Sequence, residues 1–208
     1  MVISPVSICN SALVKLGAER LNSLTENTVQ ARVCNEQYEK VRDDLLASHP
    51  WNFAVSRKAL AEVAGYEDPV GEYGKAFLLP SDALRILSTN LNLGMTLGEE
   101  PWEIEVDPTT NQKILLCNIS AVAIKYIRRV PEQSFTTLFA ELLSLRLAAD
   151  IAYAITQSST QQSNLVSLFQ ARIKEVRSFD AQEGSVRTVE ADDFLLARLT
   201  GRPGFFSR

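Results

Sequence analysis

Histidine is nearly missing from this chain. Its 208 residues hold one, beside three cysteines and two methionines. That scarcity excludes several chemistries. A metal site built on imidazoles needs a second histidine. A serine or cysteine nucleophile needs a base beside it. His49 stands at a predicted helix end before Pro50, where it reads as a cap or a hydrogen-bonded corner residue. Cys9, Cys34 and Cys117 are odd in number and widely spaced, so they suggest neither a disulfide framework nor a zinc knuckle. Cys9 and Cys34 fall on apolar helical stripes, where cysteine behaves as a small hydrophobe, and a reducing compartment is expected.

Other signatures are missing too. There is no phosphate loop, no GxGxxG and no GxSxG. The first residues lack the cationic-then-apolar pattern of a signal peptide. No run approaches the ~20 apolar residues that cross a bilayer. Positive charge is not in excess: 21 Lys and Arg face 25 Asp and Glu, for a net charge of −4. Gripping a duplex takes a concentrated cationic face, so only a local patch such as Lys125, Arg128 and Arg129 stays open. Asp43 and Asp44 are adjacent and point to different helix faces, which rules out a carboxylate pair. Asp192 and Asp193 read as a solvated pair. No enzyme activity, cofactor or metal is expected.

What is present is an ordinary globular balance, 46% hydrophobic and 22% charged, at a length that fits one large domain or two small ones. The chain is organised around residues 25–54. Ala31, Cys34, Tyr38, Val41 and Leu45 recur at steps of three and four, which puts one apolar stripe on a helix. Thr25, Asn27 and Thr28 are candidate N-caps. Pro50 stops the helix near His49, and Trp51 and Phe53 follow a strand-step apart. These two rings can stack on nucleic-acid bases, but without a basic groove in the same segment they read as packing. Upstream, Ser4-Pro5 opens a short helix carrying Val6, Cys9, Leu13 and Leu16, which Gly17 closes. The two helices are expected to pack antiparallel.

Residues 56–63 suit either a strand or a helical turn. The glycines and proline of 64–74 mark a loop and a candidate for mobility. Alternation then takes over. Leu84 and Ile86 share one strand face, residues 90–98 carry turn chemistry, and Trp102, Ile104 and Val106 read as a half-buried strand. Residues 107–111 turn back into the strand 113–117, and a last strand ends in IKYIRRV. The expectation is an antiparallel meander of about four to six strands. Pro131-Glu132 opens a third helix, with Phe135, Leu138, Leu142, Leu145, Ala149 and Tyr153 on its stripe. After a polar break over 156–163, a fourth helix presents Leu165, Phe169, Ile173 and Val176, and Gly184 closes it. The tail beyond has weak periodicity, yet holds Phe194, Leu195, Leu196, Leu199, Phe205 and Phe206. Such a tail either docks on its own core or serves as an arm for a partner.

The fold class is therefore α+β. Residues 1–56 and 131–184 form an antiparallel bundle of two N-terminal and two C-terminal helices. Residues 57–130 form an inserted β domain, and 185–208 an extended C-terminal arm.

Residues 8–60, with Leu16-Gly17, Asn22-Ser23-Leu24, Ala31, Tyr38, Arg42, Asp43, Leu45 and the ending Pro50-Trp51-Asn52-Phe53-Ala54, resemble the opening of the tail tubular protein A group. These are the head-to-tail adaptors of short-tailed bacteriophages. Leu79-Pro80-Ser81-Asp82-Ala83-Leu84-Arg85, then a strand entering two long helices, match in type and order. The resemblance implies a structural virion protein, made in the host cytoplasm and placed at the head-tail junction. It implies a twelve-subunit ring seated under the portal protein ring, meeting the tail nozzle protein, and surrounding DNA without sequence-specific binding. It also gives the tail a role, as a portal-binding arm carrying Phe194, Leu195, Leu196, Phe205 and Phe206. The alternative is a helical binding or regulatory module that acts as a monomer or dimer.

Overall fold

Residues 3–89 and 101–183 are described by the structure, a computed structural model. They form an α+β fold of four helices and two small antiparallel sheets. α1 spans Pro5–Lys15 and α2 spans Val29–Ala47. Seven strands follow: β1 Val55–Ala59, β2 Ala61–Glu62, β3 Lys75–Leu78, β4 Ala83–Thr89, β5 Glu103–Val106, β6 Lys113–Cys117 and β7 Ala123–Arg128. A short 3-10 turn, Glu132–Ser134, leads to α3 Thr137–Thr156 and α4 Ser159–Gln182.

Local chemistry sets each helix end. Ser4 and Ser7 form a reciprocal capping box over Pro5. At the far end Gly17 adopts φ 70°, and Ala18 N–H reaches back to the Leu13 carbonyl, which closes the last turn. Thr28, Thr136 and Ser158 cap α2, α3 and α4 through side-chain oxygens that accept the backbone N–H three residues on. The expected polar break over 156–163 shrinks to Gln157 and Ser158, because Gln157 takes the left-handed turn itself (φ 55°, ψ 22°). Phe135 does not belong to the third helix. It stays extended before the Thr136 cap, and Tyr153 is exposed.

α3 is the common partner of the other helices. Its buried set includes Phe139, Leu142, Leu143, Leu147, Ala148, Ile151 and Ala152, which covers most of its circumference. α1, α2 and α4 all pack on it, and the expected pairing of α1 with α2 is a minor contact. α4 buries only Leu165, Phe169 and Val176, as a surface helix does.

The strands do not make a single meander. One sheet has the order β1-β7-β4 and the other β2-β3-β6-β5. The stretch 56–63 resolves as strand up to Glu62, broken at Leu60, so one chain path runs along an edge of both sheets. Side-chain alternation builds the layers. On β7, Ile127 faces the helical core, while Ile124 and Tyr126 face the second sheet. On β6, Leu115 and Cys117 meet those residues, and Ile114 and Leu116 point the other way, under Tyr73, Val63 and Tyr66. β6 is thus buried on both faces. The 64–74 loop is tied by Asp68, whose carboxylate accepts the backbone N–H of Val70, Glu72 and Tyr73 at 2.7–3.0 Å.

Candidate interaction surfaces

The corner after α2 is the most heavily tied segment. Trp51 is 1% exposed and lies edge-on to Phe139 and to His49, with ring centroids 5.1 and 4.7 Å apart. Phe53 and Phe135 complete an aromatic group around Phe139. The Trp51 indole N–H donates to the Leu45 carbonyl at 3.0 Å, which also accepts from the Ser48 hydroxyl at 2.8 Å, so an acceptor in the last turn of α2 is held twice. Trp51 and Phe53 are therefore packing groups, closed to base stacking. Asp180, near the end of α4, locks the corner from outside. Its carboxylate accepts the Asn52 backbone N–H at 3.1 Å and lies 3.4 Å from His49 Nε2. Burial lowers the His49 pKa below its ordinary value, and Asp180 pulls the other way without reversing the shift. The sequence carried no signal for Asp180, since its partner lies 128 residues away.

A polar network sits behind the corner. Arg42 is nearly buried and bonds Asp43 at 2.9 Å and Glu132 at 3.3 Å. Glu132 also accepts from the Tyr38 hydroxyl at 3.2 Å. Asp43 is claimed a second time by Arg129. Burial pushes the Asp43 pKa up, but the bonds from Arg129 and Arg42 outweigh it and the pKa falls below the ordinary carboxylate value. Asp44 is exposed on another face. The expected basic patch dissolves here. Arg129 is spent on Asp43, and Lys125 and Arg128 point to opposite faces of β7.

The three cysteines are buried, Cys9 and Cys34 in the helical core and Cys117 between the sheets. The Cys9 thiol is pushed up by its bond to Cys34 and by burial, so it is no nucleophile. Among the described residues no group of three His, Cys, Asp or Glu could hold a metal, and no helix is long and apolar enough to cross a membrane.

Open surface lies on the sheets. A cleft of about 540 Å³ separates the β1–β2 bend from the β3–β4 turn, lined by Lys58, Leu60, Leu79, Ser81 and Lys113. A second groove, about 410 Å³, runs between β4 and β5 over Leu84, Ile86, Trp102, Ile104 and Val106. The half-buried strand expected at 102–106 is corrected here. β5 is exposed along its length, with Ile104 at 44% and Val106 at 52%, because it ends its sheet and no described element covers it. Lys58, Ser81 and Lys113 supply the polar groups of the first cleft, and Arg85 and Glu105 those of the second. Both offer apolar walls and open strands to another chain.

The proposed arm residues Phe194, Leu195, Leu196, Phe205 and Phe206 lie outside the described residues, as do Asp192, Asp193, Gly184 and the 90–98 turns. No protein-family model matches the chain, and no curated protein matches it.

Proposed function

We infer that this chain is a structural subunit, a head-to-tail adaptor that joins a phage portal ring to the tail nozzle and surrounds the DNA channel. The reading rests on the resemblance carried by residues 8–60. One observation supports it above the others. The segment richest in that resemblance, 42–54, is a joint: Trp51 holds α3, Asn52 holds α4, and Asp43 holds Arg129 just past the end of β7. A segment fixed from three sides serves rigidity, which ring assembly needs, and offers no ligand an opening.

In this reading the four helices form an antiparallel bundle, bundles stand side by side around a twelve-subunit ring, and residues 185–208 reach the portal. Contact between unlike faces of identical subunits closes only where the rotation fits, so interface geometry or the portal template sets the count. The subunit acts in assembly, with no catalytic step and no cofactor. The second reading, a binding module acting as a monomer or dimer, is favoured by the apolar groove between β4 and β5.

Co-sedimentation of the purified chain with the portal ring encoded beside it, followed by negative-stain imaging, decides between them. The adaptor reading expects a ring on one face of the portal. A folded monomer that leaves the portal bare is the outcome of the binding-module reading. Truncation after Gly184 is expected to abolish portal binding while circular dichroism and the unfolding transition stay those of a folded protein. Retained binding would remove the arm from the assignment.

A further inference from the structure

Among the described residues β1 and β4 end one sheet and β2 and β5 the other, and of these β1 and β5 lie on opposite sides of the molecule. β1 ends its sheet and runs directly into β2, which ends the second sheet on the same side; β5 ends that second sheet on the other side. The hydrogen-bond phase shows which groups are free. Arg128 N–H donates to the Ala54 carbonyl and Leu60 N–H to the Val122 carbonyl, so even-numbered residues of β1 bond to β7. The backbone groups of Arg57 and Ala59 then point outward. Asp107 N–H donates to the Gln112 carbonyl, so Glu103 and Glu105 bond to β6, and the backbone groups of Ile104 and Val106 point outward. No hydrogen bond within the described residues takes up these outward groups.

The two edges also differ in charge. β1 carries Arg57 and Lys58, and β5 carries Glu103 and Glu105. None of the four makes an ion pair with a described residue. Charges that only guard an edge repel a second copy of it. Here one edge is cationic and the other anionic, so each edge repels its own kind and attracts the other.

We propose that copies of this chain associate head to tail, β5 of one adding antiparallel to β1 of the next. The backbone phase selects the side chains that meet. Outward residues pair with outward residues, which sets Arg57 and Ala59 against Ile104 and Val106. Lys58 then falls opposite Glu103 or Glu105 on the shared face. The aliphatic stem of Arg57 covers the exposed Ile104 and Val106. Because the joined edges are different surfaces, every copy keeps one of each free for the next, and the assembly closes or grows. The proposal deepens the adaptor reading by naming the contact between neighbouring subunits, and it is tested without that reading.

The test is native mass spectrometry and sedimentation velocity of the full chain, alone across a concentration series and with portal rings. The Ile104→Pro variant blocks the outward edge while leaving the β5–β6 bonds in place, since Ile104 N–H is not used in that ladder. Near-ultraviolet circular dichroism checks its fold. A second pair leaves the backbone alone: Glu103→Lys with Glu105→Lys in one protein, and Lys58→Glu in another. Wild type is expected to self-associate, free or on the portal. Ile104→Pro and each charge variant are expected to lose the oligomer, and the two charge variants mixed are expected to recover an oligomer in which they alternate. Wild-type-like assembly of Ile104→Pro overturns the proposal, as does a charge pair that fails to recover on mixing, or a wild type monomeric in both settings. A wild-type ring on the portal that survives Ile104→Pro leaves the adaptor reading standing and removes this contact. Self-association that Ile104→Pro abolishes, with the portal left bare, does the reverse.

Discussion

His49 ties protonation to the stability of the corner. Its pKa is lowered in the folded chain, chiefly by burial, so the unfolded chain binds the proton more readily. Stability is therefore full above the ordinary histidine value, about 6.5, and falls as pH drops through it toward the folded pKa. As the chain's one histidine, it should account for most of the slope in that window. The urea midpoint of wild type is expected to fall between about pH 7.5 and 5.5, and that of His49→Gln to stay nearly flat. Asp43 acts in a lower window, since its depressed pKa adds stability that is lost as pH falls from the ordinary carboxylate value toward the folded pKa. Trp51 separates two effects at one position. Trp51→Ala removes a side chain that is 1% exposed and should cost about 3–5 kcal/mol in urea unfolding. Trp51→Phe keeps much of the ring packing and loses the indole bond to Leu45, for about 1 kcal/mol.

Among the elements, the helices were the legible part. Their signals are local: a proline after Ser4, a threonine at 28, and apolar steps of three and four. The start of α3 is the exception, since Pro131-Glu132 opens only a 3-10 turn and the helix begins behind Thr136. Thr136→Ala removes the acceptor for the Phe139 N–H and should lower the unfolding free energy by about 1 kcal/mol, measured by urea titration. The strands were legible as strands but not as sheets. Alternation shows that Ile104 and Val106 share a face; it does not show whether anything covers that face. β1 pairs with β7 some seventy residues on, and no spacing encodes that choice. The break at Leu60 was hidden for the same reason, since it marks the crossing from one sheet to the other. Of the candidate surfaces, the corner could be seen through Pro50 and Trp51, whereas Asp180 and both open edges required the fold.

At the scale of the molecule, burial is layered. Helices cover one face of the β1-β7-β4 sheet, the second sheet covers its other face, and the 64–74 loop closes the far side. Polar ties concentrate where these layers meet the ends of α2 and α4, and β1 leaves directly from that corner.

The place of α3 has a consequence for biosynthesis. α1 and α2 leave the ribosome first, yet the helix they both pack on is finished about a hundred residues later. At usual translation speeds that is a wait of roughly 5–20 s. Throughout it, the apolar stripes of Ile8, Leu13, Tyr38 and Leu45 lack the partner that buries them. The nascent chain should therefore be a client for holding chaperones up to the emergence of Thr156, and should release them soon after.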